Sequence, residues 1–224
     1  MLFGKAPLAA SRVVSVVGSG GKTSLLAALA KDLPGTVALC TTTHVRPFAG
    51  VPTVTGGASQ VLEALSGSRV VCVGTPASEG KLVAPQLPID ELAGLVDHVV
   101  VEADGSRHLP LKAHAPWEPV VPACSDACVL VVGAGGFGRP IEEVAHRPGI
   151  FCARLGCWED DLATPGRVAR VIAAERGEGL LPFDRLLVNQ LADDRSRQAA
   201  LALVQALRSQ GVDVPYELAS LPRP

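Results

Sequence analysis

The sequence predicts an α/β protein of three layers, in which a mostly parallel sheet carries helices on both faces. Short, continuous runs of apolar and β-branched residues recur along the chain, and segments that favour helices lie between several of them. Such runs, without polar alternation, are typical of strands that are buried on both sides. A glycine-rich turn joins the first run to the first helix, which is a frequent arrangement at the ligand-binding edge of a parallel sheet.

The predicted strands are apolar runs of strand length that are rich in valine, a residue that favours strands. In chain order they are Val13–Val17, Val37–Cys40, Val70–Val73, Val99–Val101, Cys128–Val132 and Leu186–Val188. We expect these runs to pair as the central layer.

The predicted helices are bounded by residues that typically start or stop a helix. The first stops before Pro34, and the second ends at Gly67. The third begins at Thr164 with Pro165 in its first turn, and the fourth ends before Gly211. These helices are Thr23–Lys31, Ser59–Leu65, Thr164–Glu175 and Asp194–Ser209.

Composition limits the class of protein. With 224 residues, of which 48% are hydrophobic and 19% charged, the chain can bury a large core. We predict one α/β domain over residues 1–224, with a small insert around 109–154. A net charge of −2 leaves no excess of positive charge for a nucleic-acid backbone, so we expect no nucleic-acid partner. Because we find neither a long apolar span nor a signal peptide, we expect a cytoplasmic protein without a membrane partner.

The six cysteines are predicted to be reduced thiols. Their spacing lacks the C-x-x-C pairs of structural zinc sites, and the chain is not a small exported domain. They are Cys40, Cys72, Cys124, Cys128, Cys152 and Cys157.

The segment VVSVVGSGGKTSLL, which begins at Val13, has the order strand, glycine turn, Lys-Thr and helix. This order indicates a P-loop, in which backbone N–H groups surround phosphate oxygens, Lys22 adds a cation and Thr23 offers a hydroxyl to Mg²⁺. The usual G-x-x-x-x-G-K-[ST] spacing would need glycine in place of Val16, so this loop is tighter. The predicted nucleotide-binding residues are Gly18, Ser19, Gly20, Gly21, Lys22, Thr23 and Ser24. They imply Mg²⁺ with ATP or GTP; a purely structural turn is the alternative.

Two carboxylates, Glu102 and Asp104, follow the strand Val99–Val101. Residues two apart in a strand point to the same face, so both side chains can converge on one cation. Because a hydrated Mg²⁺ needs one or two carboxylates, we predict Thr23, Glu102 and Asp104 as metal ligands. With Lys22, the two acids are also the predicted catalytic residues; a strand that ends in an ordinary Asp-Gly turn is the alternative.

Asn189 and Asp193 follow the last predicted strand. An amide and a carboxylate there can pair with a purine edge, so both residues are candidates for base recognition. The competing interpretation, which is equally supported, is that an Asp in this position caps the next helix.

Three further groups are candidates for a second substrate or a lid. Thr42, Thr43 and His44 follow the second strand at the edge where open α/β sheets bind ligands. A second group offers positive charge to an anionic substrate, and a third belongs to a glycine-rich segment that is able to move. The second group is Arg107, Lys112 and His114, for which solvated loop charges are an equally supported interpretation. The third is His146 and Arg147.

The segments GSGGKTSLL, TTTH, VVVEADGSRHLPLKAH, EPVVP and the later HRP together resemble the YqeC family of proposed accessory proteins for selenium-dependent hydroxylases. The resemblance covers most of the chain. It implies a P-loop protein that acts in the maturation of selenium-dependent molybdenum hydroxylases. Such a hydroxylase, or the proteins that assemble its cofactor, is the implied partner.

The arrangement is also similar to metal-insertion GTPases of nickel-enzyme maturation, in which a Glu ends a metal-binding strand and N-K-x-D reads guanine. Glu102 matches the first feature, but Ala192 stands where the Asp of the second should be. The tight loop resembles the ATP-using Mur ligases as well. The sequence therefore leaves open ATP or GTP, and a hydrolase, a kinase or ligase for a small anionic substrate, or a nucleotide switch without turnover.

Overall fold

The computed structural model describes residues 2–4 and 8–222. The strands are β1 (Val13–Gly18), β2 (Val37–Thr41), β3 (Thr53–Val54), β4 (Val70–Val73), β5 (Thr75–Pro76), β6 (Leu82–Val83), β7 (His98–Glu102), β8 (Leu111–Lys112), β9 (Ala127–Gly133), β10 (Ala145–His146), β11 (Arg185–Asn189) and β12 (Tyr216–Leu218). The α-helices are α1 (Lys22–Asp32), α2 (Ala58–Gly67), α3 (Ile89–Ala93), α4 (Ile141–Val144), α5 (Pro148–Leu155), α6 (Pro165–Gly177) and α7 (Asp194–Ser209).

The central layer is an eight-stranded sheet in the order β12-β11-β9-β1-β7-β2-β4-β3. Every neighbouring pair in it is parallel. Each of the predicted apolar runs lies in one of its strands. The predicted α/β class, a three-layer P-loop NTPase-like architecture, is therefore confirmed.

Helices cover both faces of this sheet, and alternate residues of one strand show the two faces. In β7, Val100 packs in the cluster that contains Leu25 and Leu29 of α1. Its neighbour Val99 packs in a different cluster, which contains Val61 of α2. Helices α6 and α7 pack together in a third cluster, against β9 and β11. The apolar character of the strands on both sides follows from this double cover.

Strand β1 lies between β7 and β9, near the middle of the sheet. In its register, Val16 is opposite Glu102 of β7, and Gly18 is opposite Val131 of β9. The glycine loop after β1 and the acidic end of β7 therefore come out at the same edge, the carboxyl edge where open parallel sheets bind ligands.

One part of the stretch around 109–154, predicted as a small insert, lies outside the main sheet, and another part belongs to it. Strands β8 and β10 pair with each other in a separate two-stranded parallel sheet, and α4 and α5 follow β9 and β10 in the chain. Strand β9, however, is an interior strand of the main sheet. This stretch thus includes part of the central layer, because its apolar run Cys128–Val132 needs burial on both faces.

Most elements that the sequence did not predict are short, and the longest of them is α5 with eight residues. The strands β3, β5, β6, β8 and β10 have two residues each, which is too few for a periodic pattern. All six cysteines are free thiols, as predicted. Within residues 2–4 and 8–222, no helix is both long and apolar enough to cross a bilayer.

Candidate functional site

The loop between β1 and α1 adopts a backbone conformation that glycine reaches more easily than other residues do. Gly18, Gly20 and Gly21 all have positive φ angles, of 90°, 86° and 132°. A Cβ on Gly20 would overlap the backbone of Gly133, and one on Gly21 would overlap the amide of Asn189. Positive φ angles and close approaches of this kind explain why the loop needs glycine at these positions.

Lys22, the first residue of α1, turns its side chain back over this loop and is only 3% exposed. Its Nζ donates to the backbone oxygen of Gly18 at 2.8 Å and to Ser106 Oγ at 3.0 Å. It also lies 3.1 Å from Asp104 Oδ1. A buried ammonium at the start of a helix, surrounded by loop atoms, is well placed to attract an anion.

Thr23 and Glu102 are brought together by this fold. The Thr23 hydroxyl donates to Glu102 Oε2 at 3.2 Å, and Glu102 Oε1 lies 3.9 Å from Lys22 Nζ. Burial raises the pKa of Glu102, against the effect of Lys22, because an isolated buried carboxylate favours its neutral form. A bound cation would supply the charge that this carboxylate needs, so the hydroxyl and carboxylate oxygens fit Mg²⁺.

Asp104 has a different environment from the one predicted for a metal ligand. It is fully buried, and its Oδ2 accepts from the Gly18 backbone N–H at 2.9 Å. The same Oδ2 lies 3.2 Å from Lys112 Nζ and 3.0 Å from His114 Nε2. Burial alone would raise the pKa of Asp104, but Lys22, His114 and Lys112 together lower it.

Since Lys22, Lys112 and His114 lie around Asp104, this carboxylate acts as their counter-charge in this arrangement, and its role as a metal ligand stays a prediction. No group of three or more His, Cys, Asp or Glu side chains forms a metal site in the described part of the chain. Thr23 and Glu102 bring a hydroxyl and a carboxylate oxygen together, which is the pair that we consider for a metal below.

Lys112 and His114, predicted to hold a second substrate, are instead buried inside an ion network. Lys112 Nζ donates to Glu118 Oε2 at 2.9 Å, in addition to its contact with Asp104. His114 Nδ1 lies 2.7 Å from Glu175 Oε2, and the pKa of His114 is raised. Burial acts against this rise, but the hydrogen bonds to Asp104 and Glu175 outweigh it. Each side chain therefore has partners within the protein, and its contact with a second substrate stays a prediction.

The sequence reasoning missed Glu175 and Ser106. Glu175 is fully buried, and it lies on the stripe of α6 that also buries Val168, Val171 and Ile172. An acid at the i, i+3, i+4, i+7 spacing of an apolar helix face is a signal that could have identified it. Ser106 showed no comparable signal, because its contact with Lys22 depends on how the loop after β7 folds back.

Asn189 and Asp193, the candidates for base recognition, have structural contacts. The Asn189 side chain donates to the Gly20 backbone oxygen at 3.0 Å and accepts from the Leu221 backbone N–H at 2.8 Å. Asp193 is exposed and caps α7 by accepting from the Ser196 N–H at 2.7 Å. Asn189 thus supports the glycine loop, and Asp193 has the capping contact that the sequence offered as the alternative.

The threonines after β2 lie beside the acidic strand end. The Thr41 hydroxyl donates to the Glu102 backbone oxygen at 2.8 Å, and the Thr42 hydroxyl donates to the Val120 backbone oxygen at 2.8 Å. Thr43 is half-buried and His44 is exposed. These residues link the ends of two strands, and their position at the edge agrees with the expected one.

The remaining candidates differ in exposure. Arg107 is exposed, with a left-handed backbone at φ 49°. His146 is half-buried, and burial together with Lys112 and Arg147 lowers the pKa of its imidazole to about 4. Arg147 donates to Glu118 Oε1 at 2.7 Å and lies over the Trp117 ring at 5.3 Å. Through Arg147, the ion network therefore extends from Glu118 to the exposed side chain of Trp117.

An open cavity of about 400 Å³ lies at the same edge, beside Thr42. Its lining includes Ile89, Asp90, Val120 and Cys124. The one charge among these residues is negative, so the cavity does not have the cationic lining that an anionic second substrate would need.

Comparison with known proteins shows which family the chain is related to. The family model described as "YqeC protein" matches residues 14–149, which is more than half of the chain. The chain belongs to the YqeC family. A relative from Escherichia coli (strain K12), named "Uncharacterized protein YqeC", is 36% identical over 160 residues. That alignment covers 66% of this chain and 62% of the relative, so the chain spans less than two thirds of the relative's length.

The YqeC match includes the glycine loop, Glu102, Asp104 and the network residues as far as Arg147. It ends before α6 and β11, which contribute Glu175 and Asn189 to the same site. The site of this YqeC-family protein is therefore completed by elements beyond the matched segment.

Proposed function

We propose that this YqeC-family protein binds a nucleoside triphosphate with Mg²⁺ at the loop Gly18–Ser24 and hydrolyses it. One observation carries the proposal: the Thr23 hydroxyl and the Glu102 carboxylate lie together beside the buried Lys22 ammonium, at the start of α1. A hydroxyl, a carboxylate and an ammonium around a glycine loop are the groups that a Mg²⁺-bound triphosphate requires.

Each group has its own task in this proposal. The loop N–H groups and Lys22 stabilise the negative charge on the phosphates, and Thr23 and Glu102 hold Mg²⁺. When bound, Mg²⁺ supplies positive charge that offsets the charge on the outer phosphate oxygens. Asp104 orients Lys22 and the Gly18 N–H and does not contact the metal.

We propose ATP or GTP as the nucleotide, with weak discrimination between them. Reading guanine requires a carboxylate in the plane of two purine donors. Asp193, the nearest candidate in the sequence, already accepts from the Ser196 N–H as the cap of α7. A site without a dedicated pair of hydrogen bonds to one base rejects the other base only weakly.

The cellular role that we propose rests on the resemblance to the YqeC family. It is that of a cytoplasmic, nucleotide-dependent accessory protein in the maturation of selenium-dependent molybdenum hydroxylases. The partner is such a hydroxylase or one of the proteins that assemble its cofactor.

The test is competition binding of ATP against GTP, with and without Mg²⁺, followed by measurement of phosphate release. We expect nucleotide binding that depends on Mg²⁺. We also expect a basal release of phosphate, which Glu102→Gln reduces. Release that requires an added acceptor would instead favour a kinase or ligase. Tight binding without release would favour a nucleotide switch, and the absence of binding would contradict the proposal.

A further inference from the structure

We infer that His114 and Glu175 are positioning residues for the nucleotide loop, which act through Asp104 to release the Lys22 ammonium to the outer phosphates of a triphosphate. This inference rests on the proposed function. It adds a second helix, α6, to a site that otherwise consists of strand ends, loops and the start of α1.

The geometry is a continuous chain of buried groups. Glu175 Oε2 lies 2.7 Å from His114 Nδ1, and His114 Nε2 lies 3.0 Å from Asp104 Oδ2. Asp104 Oδ1 then lies 3.1 Å from Lys22 Nζ. The side chains of all four are at most 3% exposed, so water screens these contacts little.

The imidazole of His114 lies between two carboxylates. An ionised carboxylate only accepts hydrogen bonds, so a ring with an oxygen of Asp104 at one nitrogen and an oxygen of Glu175 at the other donates from both. That ring is an imidazolium. Glu175 is also fixed in place, because its Oε1 accepts from the His114 backbone N–H at 2.7 Å.

The positive charge on His114 matters because Asp104 is shared by three cations. Its Oδ2 faces His114 and Lys112, whereas its Oδ1 faces Lys22 at ion-pair distance without the alignment of a hydrogen bond. Asp104 thus holds Lys22, as it holds Lys112 at 3.2 Å, by charge alone and without a directional hydrogen bond, whereas His114 is hydrogen-bonded to it.

A buried carboxylate that loses its only cation is strongly destabilised. When Lys22 turns to a phosphate, Asp104 is not destabilised in this way, because Lys112 and the His114 imidazolium remain beside it. The imidazolium that Glu175 stabilises thereby lowers the cost of releasing Lys22. Without the imidazolium, Asp104 would retain Lys22 more strongly.

The test variant is Glu175→Gln, which keeps the shape of the side chain and removes its charge. We expect its affinity for the triphosphate to fall about tenfold, the effect of one charge-assisted hydrogen bond, with the affinity for the monophosphate unchanged. The matched control is Glu178→Gln. Glu178 is an exposed acid just after the end of the same helix, and it pairs with Arg154, as Glu175 does.

A second measurement does not depend on nucleotide. The ¹⁵N chemical shifts of the His114 ring should show an imidazolium in the parent protein and a neutral ring in Glu175→Gln. If Glu175→Gln does not fold, His114→Gln takes its place in the binding comparison, because its amide donates to Asp104 without a charge.

The outcomes separate the two proposals. If the parent protein binds no nucleotide, the proposed function fails and this inference fails with it. If the parent binds and Glu175→Gln loses affinity equally for triphosphate and monophosphate, or not at all, the inference alone is wrong. A neutral His114 ring in the parent protein would also overturn it.

Discussion

At the scale of single residues, the two acids at the end of β7 have different environments although only one residue separates them. Glu102 faces the Thr23 hydroxyl and has its pKa raised by burial, so a cation would stabilise it. Asp104 is surrounded by Lys22, Lys112 and His114, so its charge is already compensated. The number of cations within reach, and not the type of residue, therefore distinguishes the candidate metal ligand Glu102 from the internal counter-charge Asp104.

Lys22→Ala should weaken the binding of a triphosphate much more than that of a monophosphate, because the ammonium meets the outer phosphates while the loop N–H groups hold the rest. We expect a difference of at least about tenfold between the two losses, as for one charge-assisted hydrogen bond. Isothermal titration with both ligands measures it, and Lys31→Ala, an exposed lysine of the same helix, is the control. Equal losses for both ligands would refute this placement of Lys22.

Glu102→Gln should preserve the fold and reduce the Mg²⁺ dependence of nucleotide binding, because the amide retains the shape and loses the charge that holds the metal. Binding is measured across a Mg²⁺ series, with circular dichroism to confirm folding. Asp104→Asn is the comparison. If Asp104→Asn removes the Mg²⁺ dependence and Glu102→Gln has no effect, the roles of the two acids are reversed.

At the scale of elements, the loop after β1 is held by three others. Strand β9 crowds Gly20 through the backbone of Gly133, and β11 supplies Asn189, which donates to the Gly20 oxygen. The strand end of β7 supplies Asp104, which accepts from the Gly18 N–H. Because three strands hold this loop in place, binding of the proposed nucleotide would cost less conformational entropy than binding to a mobile loop.

Asp193→Ala tests whether the start of α7 caps a helix or reads a base. Because Asp193 accepts from the Ser196 N–H, its loss should lower the melting temperature and leave the affinities for ATP and GTP almost unchanged. Thermal unfolding and competition binding measure the two effects, with Asp194→Ala as control for the loss of charge. A strong GTP preference that Asp193→Ala abolishes would show that Asp193 reads guanine.

At the scale of the whole molecule, the ion network joins parts of the chain that lie far apart in sequence. It runs from Lys22 in α1 through Asp104 to Glu175 in α6, and through Lys112 and Glu118 to Arg147 at the start of α5. Buried charges of this kind are costly unless all are paired, so changes of pH should act on the stability of the whole domain.

The half-buried His146 should make stability fall as the pH falls from about 6.5 to about 4. Its pKa is lowered from 6.5 to about 4, so in this range the unfolded chain binds a proton that the folded protein does not. His146→Gln should therefore make the free energy of unfolding less steep against pH in this window. Urea unfolding at several pH values measures it, with the exposed His44→Gln as control. An unchanged slope in His146→Gln would contradict the assignment.

The sequence by itself determined the layers of this protein and the centre of its candidate site. The apolar runs identified the main strands because burial on both faces leaves a pattern within a few residues. The loop Gly18–Ser24 and the nearness of Glu102 to it were predictable for a similar reason, since both follow from a local motif at a strand end.

Only the tertiary structure decided which polar residues meet. Glu175 lies 61 residues after His114 along the chain, and Asn189 lies 169 residues after Gly20, so no local pattern links either pair. Asp104 looked like a second metal ligand in sequence because its spacing from Glu102 is that of one strand face. The sequence did not show that the packing of β8 and α6 surrounds it with Lys112 and a His114 held by Glu175. Charge compensation depends on all the groups around a buried residue, and the sequence does not show which groups those are.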